Sequence, residues 1–426
     1  MVGLQMSKEI TEIIDTIATQ ARDASRGISA ATTAQKNQAL EAIAREIESN
    51  RKTLTEENQK DLQAAEQNGL TEAMIDRLRL THDRIDGMAQ GLRQLIDLPD
   101  PVGGLIEEKK RPNGLQIRKV RTPIGVIGII YESRPNVTID CAGLCLKSGN
   151  AAILRGGKEA LHSNRALANI IANALQGTDL PKHSVQLIPT TDRSALNHLL
   201  TLDEYVHCII PRGGEGLIRF VAENSRIPVI KHYKGVCNLY LDQGCDPQMG
   251  LDIAVSAKCG RPGVCNAIEN LIVHASQLDS LLPKIGQALQ EKGCVIFADE
   301  RAQKALGDVP STLASEQEYA EEFLDLRLAI KTVDHVDEAI EFTNRYGSGH
   351  SESILSPSAE RAEKFQREVD ASSVYWNAST RFTDGFEFGL GAEIGISTDR
   401  LHARGPMGLE ELCSYKYMIQ GNGQWK

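Results

Sequence analysis

The chain has 426 residues, of which 41% are hydrophobic and 24% charged, so it is long enough for a large buried core and two or three domains. Its net charge of −10 argues against general affinity for nucleic acid or anionic membranes, although a local basic site for an anion is compatible with it. No run approaches the roughly 18 apolar residues of a membrane span, so no membrane partner is expected.

The nine cysteines are scattered along the whole chain. A secreted disulfide framework would be short, dense and even in cysteines, so this pattern indicates reduced thiols and a cytoplasmic protein. We expect most of these cysteines to be small buried side chains. The N-terminus has charges among its apolar positions and predicts an amphipathic helix rather than a signal peptide.

Residues 1 to about 100 carry apolar side chains at helical spacing, and Pro99 and Pro101 end this helical segment. The next stretch, "LIEEKKRPNGLQIRKVRTP", contains Asn113-Gly114, a hairpin signal because both central residues of the favoured two-residue turn need positive φ. The charged arms indicate that this hairpin projects from the body of the protein.

From residue 123 onward, short apolar β-rich runs alternate with helical patterns, which predicts βαβ units and a mainly parallel sheet. These runs are "IGVIGIIYE", "AAILRGG", "SVQLIPT", "VHCIIPRGG" and "IPVIKHYKGVCNLYLD". A second α/β pattern, with "LIVHA", "VIFA", "LRLAIKTV" and "SESILS", follows Cys265. The C-terminal stretch "ELCSYKYMIQGNGQ" predicts a further strand.

Two glycine-rich stretches, "RGGKEA" at 155–160 and "PRGGEG" at 211–216, follow predicted strands and precede predicted helices. Free N–H groups at such helix starts favour phosphate, although each stretch alone is also compatible with a simple tight turn. Neither matches the G-x-G-x-x-G fingerprint, so an ordinary doubly wound dinucleotide site is not supported. Together with Arg155, Lys158 and Arg212 they indicate a phosphorylated cofactor.

The stretch "AKCGRPGVCNA" contains two cysteines, and the sequence predicts different roles for them. A helix-like lead ends near Cys259, and the turn that starts at Gly260 presents Cys265 to substrate. Lys258 and Arg261 would lower the pKa of that thiol if they point toward it, and the thiolate is the reactive form. No cysteine or histidine spacing indicates a metal site.

Asn136, in "YESRPNVTID", follows a strongly apolar strand and would lie at the mouth of the sheet where ligands bind. The alternative is that it caps the next helix, a favoured role of asparagine. A cysteine protease or amidase would need a histidine to orient its thiol, and the sequence leaves this alternative open.

These stretches resemble the aldehyde dehydrogenase superfamily and, within it, the gamma-glutamyl phosphate reductases, also called glutamate-5-semialdehyde dehydrogenases. "ESRPNVT", "RPGVCNA" and "LHARGPMG" are the motifs specific to that family, and the similarity covers nearly the whole chain. The resemblance implies an α/β, aldehyde dehydrogenase-like fold with two parallel-sheet domains and a small β oligomerisation element. It implies an NADPH-binding domain at 1–102 and 123–236, a catalytic domain at 237–400, and an oligomerisation hairpin and tail at 103–122 and 401–426.

The resemblance also implies the roles of individual residues. Cys265 would be the nucleophile and Asn136 would help to form the oxyanion hole. Lysine at 158, where NAD-preferring relatives typically carry glutamate, implies NADPH as the cofactor. The implied cofactor-binding residues are Arg155, Gly156, Gly157 and Lys158 at the adenosine ribose, Arg212, Gly213 and Gly214 near the pyrophosphate, and Glu322 at the nicotinamide ribose.

The implied reaction is the NADPH-dependent reduction of L-glutamyl 5-phosphate to L-glutamate 5-semialdehyde and phosphate, the second step of proline biosynthesis. Arg134 and Arg261 are candidates for holding the substrate phosphate. His402 and Arg404 are candidates for its carboxylate, and a purely structural turn is the alternative for both.

Oxidising aldehyde dehydrogenases carry a glutamate base for thioester hydrolysis, but "KHYKGVCNLYLD" has no glutamate at the corresponding place. Another aldehyde or acyl-phosphate substrate, or a non-catalytic assembly protein with this fold, are the alternatives to the implied function. The expected partners are further copies of the chain, as a dimer or tetramer, and glutamate 5-kinase.

Overall fold

The computed structural model describes residues 2–426, which divide into two compact units. The first contains the chain up to Lys231 together with Gly389–Gly395 and Met407–Lys426, and the second contains His232–Phe388 and Ile396–Pro406. Residues 401–406, grouped with the oligomerisation tail in the sequence analysis, therefore pack within the second unit.

The first hundred residues of the first unit are helical, as their spacing predicted. One of these helices starts with a capping box, in which the Thr32 side chain accepts from the Gln35 N–H and the Gln35 side chain accepts from the Thr32 N–H. The helices of this unit are α1 (Val2–Ser29), α2 (Thr33–Ser49), α3 (Arg51–Gln67), α4 (Glu72–Leu78), α5 (His82–Asp97), α6 (Asn136–Lys147), α7 (Leu161–Gln176), α8 (Arg193–Leu199) and α9 (Glu215–Asn224).

The core of the first unit is a four-stranded parallel sheet. The strands of this unit, apart from the C-terminal one, are β1 (Leu105–Lys110), β2 (Gln116–Pro123), β3 (Val126–Tyr131), β4 (Ala151–Gly156), β5 (Val185–Leu187) and β6 (Cys208–Arg212). The parallel sheet has the order β5-β4-β3-β6, and β3 is buried at every position. Because the chain moves outward from β3 to β5 and then returns to β6, the strand order reverses between β3 and β6, where ligands of such sheets bind.

The second unit is built on a seven-stranded parallel sheet of order β10-β9-β11-β8-β7-β12-β13. Its strands are β7 (Cys237–Leu241), β8 (Ile268–His274), β9 (Val295–Ala298), β10 (Ser311–Leu313), β11 (Arg327–Val333), β12 (Ser351–Leu355), β13 (Ser373–Trp376), β14 (Ile396–Ser397) and β15 (Gly405–Pro406). Its helices are α10 (Pro247–Cys259), α11 (Leu282–Glu291), α12 (Glu300–Leu306), α13 (Glu316–Tyr319), α14 (Val336–Tyr346) and α15 (Ala359–Glu368).

The predicted hairpin and the C-terminal strand form a separate antiparallel sheet. The last strand, β16 (Cys413–Gln420), pairs with β2, and β2 pairs with β1. All of β1, and all of β16 after its first residue, are exposed to solvent. The small β element implied by the resemblance is therefore present in the first unit.

The turn of this hairpin differs from the predicted one. Gly114 has a φ of +92°, but Asn113 does not have a positive φ. The Gly114 N–H donates to the Arg111 carbonyl at 2.9 Å, which places Pro112 and Asn113 at the centre of the turn and Gly114 just after it. Because proline fixes φ near −65°, the observed turn with Pro112 at its first central position is not one with two positive φ values.

One other predicted element is shorter than expected. In "IPVIKHYKGVCNLYLD" only Cys237–Leu241 is a strand. Across residues 2–426, no helix is both long and apolar enough to cross a membrane.

Candidate active site

The exposure of the cysteines separates two of them from the rest. Seven of the nine are buried, as expected, and only Cys259 and Cys265 are partly exposed. α10 ends at Cys259, as the sequence predicted. Cys265 lies in the turn before β8, where the Ala267 N–H donates to the Val264 carbonyl at 3.1 Å.

Two residues of the segment before β7 support the backbone of Cys265. A Cβ atom on Gly235 would lie 2.4 Å from the Cys265 carbonyl oxygen and 2.8 Å from the Cys265 Cβ, so only glycine fits at this position. The Cys237 thiol donates to the same carbonyl oxygen at 3.2 Å. The segment that the resemblance aligned with the glutamate base of oxidising relatives contributes a close backbone contact in this chain.

Lys258, which the sequence placed near the two cysteines, is bound to a carboxylate. Its side chain is wholly buried and its ammonium group pairs with the equally buried Glu269 carboxylate. Burial raises the pKa of Glu269 to about 7, and the charge of Lys258 opposes this rise. The ammonium group of Lys258 is therefore bound within a buried ion pair, and its effect on Cys265 stays a prediction.

Cys259 interacts with another cysteine, Cys294. The Cys294 thiol donates a hydrogen bond that lowers the pKa of Cys259 to about 7, and the positive charge of Lys258 lowers it further. No disulfide joins any of the nine cysteines. A lowered pKa alone therefore does not distinguish the two partly exposed thiols.

An arginine that the sequence analysis missed, Arg381, reaches the residue that follows Cys265. Its guanidinium Nη1 donates to the Asn266 side-chain oxygen, and the Asn266 amide donates to the Thr383 carbonyl at 2.9 Å. Burial lowers the pKa of Arg381, the nearby positive charge of Arg261 lowers it further, and Cys265 acts in the opposite direction. The only sequence signal was an arginine in "NASTRFTDG", far from the cysteine motif.

Glu322 belongs to a segment that packs against the Cys265 turn. A Cβ atom on Gly263 would lie 3.4 Å from the Leu324 carbonyl oxygen. The Leu324 N–H donates to Glu269 at 3.2 Å, and Leu324 has the unusual φ of +56°. The second unit thus brings the predicted ribose-binding segment beside the turn that carries the predicted nucleophile.

Arg404 already has a carboxylate partner within the second unit. Its guanidinium donates to Asp370 at 2.6 Å, and Arg400 pairs with the same carboxylate. His402 lies on the same exposed stretch. A contact between Arg404 and a substrate carboxylate would therefore require Arg404 to exchange Asp370 for the substrate.

In the first unit, Asn136 is the first residue of α6, and its side chain makes no capping bond. Instead its Nδ2 donates to the Asp140 carboxylate at 2.9 Å. Burial raises the pKa of Asp140 to about 6, while the Asn136 bond and the charge of Arg212 oppose the rise. The capping alternative is therefore not what the structure shows, and Asp140 holds the orientation of the Asn136 amide.

The residues after β4 form a basic cluster. The Arg155 Nη2 donates to the Thr191 carbonyl at 3.0 Å, while its buried Nε has no hydrogen-bond partner among the described residues. Burial lowers the pKa of Arg155, the carboxylates of Glu159 and Glu132 oppose this, and the charge of Arg193, a residue that sequence reasoning missed, lowers it further. Lys158 is exposed. A buried arginine donor without a partner fits an anionic group such as a ribose phosphate, although Glu159 and Glu132 also lie within electrostatic range.

The four predicted loop glycines differ in what surrounds them. Cβ atoms on Gly156 and Gly157 would meet atoms of this chain within about 2.5 Å, so internal packing accounts for both. A Cβ on Gly213 would meet Glu132, whereas one on Gly214 would meet nothing within 4 Å. The Gly214 N–H donates to the Glu132 carboxylate at 3.0 Å.

Glu132, which sequence reasoning also missed, thus lies at the start of α9, where the sequence predicted a phosphate. A cofactor phosphate at this position would bind beside the Glu132 carboxylate or displace it from the Gly214 N–H.

Comparison with known proteins defines the class. The model of the aldehyde dehydrogenase family matches residues 3–298 and 327–417. An engineered glycolyl-CoA reductase with bound NADP+ has the same fold, with a TM-score of 0.66 over 96% of each chain and 14% sequence identity. The chain belongs to the aldehyde dehydrogenase family, which uses nicotinamide cofactors.

Within this family its place is with the gamma-glutamyl phosphate reductases. It is 56% identical to the gamma-glutamyl phosphate reductase of Opitutus terrae over 422 residues, which are 98% of this chain and 99% of that protein. The crystal structure of the gamma-glutamyl phosphate reductase of Thermotoga maritima superposes with a TM-score of 0.95 at 45% identity, covering 97% of this chain and 99% of the other. The family and fold inferred from the sequence motifs are thus confirmed.

Proposed function

We propose that the chain reduces L-glutamyl 5-phosphate to L-glutamate 5-semialdehyde and phosphate, with NADPH as the hydride donor and a thioester on Cys265 as the intermediate. The observation that carries the proposal is the supported, partly exposed Cys265 turn in a chain so similar to gamma-glutamyl phosphate reductases.

In the first step, the Cys265 thiolate attacks the acyl carbon of the substrate. A carbon–sulfur bond forms, the carbon–oxygen bond to phosphate breaks, and phosphate leaves as an anion with the bonding electron pair. Because phosphate is a good leaving group, this step makes little demand for a general acid. Covalent catalysis thereby divides one difficult reduction into two easier steps.

The proposal assigns the developing oxyanion to the Asn136 amide and the Cys265 N–H, and one such donor contributes about 3 kcal/mol. The Asp140 carboxylate supports this role, because it binds one N–H of the Asn136 amide and so fixes where the other one points. Asp140 is therefore a positioning residue.

The basic cluster after β4 fits a cofactor that carries an extra phosphate. Arg155, Lys158 and Arg193 would hold the 2′-phosphate, Gly214 and Arg212 would lie near the pyrophosphate, and Glu322 would bind the nicotinamide ribose. When bound, the cofactor supplies the hydride that reduces the thioester. Binding titrations with NADPH and NADH test the preference. Lys158→Glu should weaken the binding of NADPH more than the binding of NADH.

The nucleophile is tested by Cys265→Ala and Cys259→Ala, assayed separately as phosphate-dependent NADP reduction with glutamate semialdehyde. Activity should be lost in the first variant and kept in the second. Cys259→Ala is the matched control because it removes the other partly exposed thiol, whose pKa is lowered to about 7. Loss of activity in Cys259→Ala alone would overturn the assignment.

The binding of the substrate carboxylate by His402 and Arg404 is tested by kinetics. Arg404→Ala should raise the KM for glutamate semialdehyde if Arg404 leaves Asp370 to bind substrate. Arg400→Ala, which removes the other partner of Asp370, is the control. An unchanged KM in Arg404→Ala would remove Arg404 from the site.

The proposal includes a cytoplasmic homo-oligomer, dimeric or tetrameric, assembled through the β1-β2-β16 sheet. This sheet exposes Tyr415, Tyr417 and Ile419 on one strand. A large apolar patch of this kind is unfavourable in water and is typical of an interaction surface. Ile419→Glu should lower the molar mass measured by light scattering. Glutamate 5-kinase, which would supply the acyl phosphate, is the proposed second partner, and a pull-down with purified kinase tests it.

A further inference from the structure

The second unit carries two arginines near Cys265 that have no carboxylate partner. Arg261 lies in the turn four residues before Cys265, and Arg381 binds the side chain of Asn266, the residue after it. Among residues 2–426, neither arginine forms an ion pair with a carboxylate, whereas Arg301, Arg361 and Arg404 of the same unit each do.

The position of Arg381 is fixed by several bonds to Asn266. The Asn266 side-chain oxygen accepts from the Arg381 guanidinium, and the Asn266 carbonyl accepts from the Thr380 hydroxyl at 2.7 Å. The Asn266 amide donates to the Thr383 carbonyl at 2.9 Å. The guanidinium is thus bound to the side chain of the residue that directly follows the nucleophile.

The two positive charges of Arg261 and Arg381 are close enough to disfavour each other. Asp384 also lies within electrostatic range of Arg381, but its carboxylate accepts from the Phe386 N–H at 2.9 Å and forms no ion pair with either arginine. Like charges without a partner are unfavourable unless an anion joins them. Apart from the Cys265 thiolate and the developing oxyanion, the proposed reaction brings the phosphate on the reacting carbon to this turn.

We propose that Arg381, together with Arg261, binds the phosphate of the acyl phosphate and of the released product. This inference rests on the proposed function and names the residues that recognise its leaving group. An arginine suits this role because its planar guanidinium donates two parallel hydrogen bonds to phosphate oxygens. Its charge stabilises the phosphate as the carbon–oxygen bond breaks and the electron pair moves to the leaving oxygen.

The first test is kinetic and uses phosphate-dependent NADP reduction with glutamate semialdehyde. Arg381→Met should raise the KM for phosphate about 10- to 100-fold, the effect of losing charged hydrogen bonds, while the KM for the semialdehyde changes little. The KM for phosphate of Arg381→Lys should lie between that of the unaltered protein and that of Arg381→Met. Arg301→Met, which loses an arginine already paired with Asp334, is the matched control and should not change either KM.

The second test does not depend on turnover or on the substrate. Alkylation of the Cys265 peptide is followed by mass spectrometry with anionic iodoacetate and neutral iodoacetamide. The ratio of the two rates should fall several-fold in Arg381→Met, and inorganic phosphate should slow iodoacetate in the unaltered protein. A variant that merely distorts the turn changes both rates in parallel and leaves the ratio unchanged.

The outcomes separate the two proposals. If the unaltered protein shows no phosphate-dependent reduction of NADP, the proposed function fails, and the alkylation ratio still tests the anion site. An unchanged phosphate KM and an unchanged alkylation ratio in Arg381→Met would overturn the assignment. A rise in the semialdehyde KM alone would also overturn it, because that result would place the substrate carboxylate at Arg381.

Discussion

The contact between Gly235 and Cys265 makes a quantitative prediction. A Cβ atom on Gly235 would lie 2.4 Å from the Cys265 carbonyl oxygen, whereas ordinary contacts begin at 3.4 Å. Gly235→Ala therefore forces the two segments apart by about 1 Å, and a displacement of this size at a reacting group lowers turnover about 100-fold. The clashing atoms belong to the Cys265 backbone and Cβ, so no side-chain rotation relieves the contact.

Gly235→Ala is measured as phosphate-dependent NADP reduction, with thermal unfolding as a check that the chain still folds. Gly87→Ala is the matched control, since the same change in α5 meets no atom within 4 Å and should stabilise the helix by about 1 kcal/mol. A Gly235→Ala protein with at least one tenth of the original kcat and an unchanged melting temperature would refute the reasoning.

The buried charges give two further predictions. Lys258→Met should lower the free energy of unfolding by about 3–5 kcal/mol because it leaves the Glu269 carboxylate buried alone, and Lys258→Met/Glu269→Gln should recover most of this loss in urea unfolding. A double variant no more stable than the single one would contradict the ion-pair account. The pKa of Asp140 is raised to about 6 in the folded chain. Its contribution to the free energy of unfolding is therefore fully present below its unfolded pKa and is lost as the pH rises through about 6. From pH 5 to pH 7, the free energy of unfolding of Asp140→Asn should therefore rise by about 1 kcal/mol relative to that of the original chain, as measured by urea unfolding. A difference that stays constant with pH would contradict the raised pKa.

The pattern of elements was largely predictable from the sequence, for reasons that are local. The alternation of apolar runs with helical spacing placed β3, β4, β6 and β8 correctly, because buried parallel strands must be continuously apolar. The hairpin was also predictable, but its turn type was not, because the choice depended on Pro112 rather than on Asn113-Gly114 alone. Strand β7 was overextended, since the apolar residues before it are buried without pairing regularly in a sheet.

The site was less predictable than the fold because its decisive contacts are non-local. Lys258 is bound to Glu269, 11 positions away, a contact that the cysteine motif alone does not reveal. Arg381 lies 115 positions from its partner Asn266. Glu132 likewise reaches Gly214 across 82 positions. Chemistry-bearing motifs indicated the nucleophile, but the residues that surround it come from distant parts of the chain.

The carboxylates near Cys265 explain how a thioester there could be protected from water. Gly235 leaves no room for a side chain against Cys265, and the stretch around it contains no glutamate. The two carboxyl groups that affect neighbouring Cys237, Glu269 and Glu352, are both buried and already bound. Glu269 pairs with Lys258, and Glu352 accepts two bonds from Asn238 at 2.7 Å, while its burial raises its pKa well above the usual range.

Neither Glu269 nor Glu352 is therefore an accessible base for activating water. If no other carboxylate activates water at the proposed thioester, NADP reduction with glutamate semialdehyde should depend on phosphate rather than proceed with water alone.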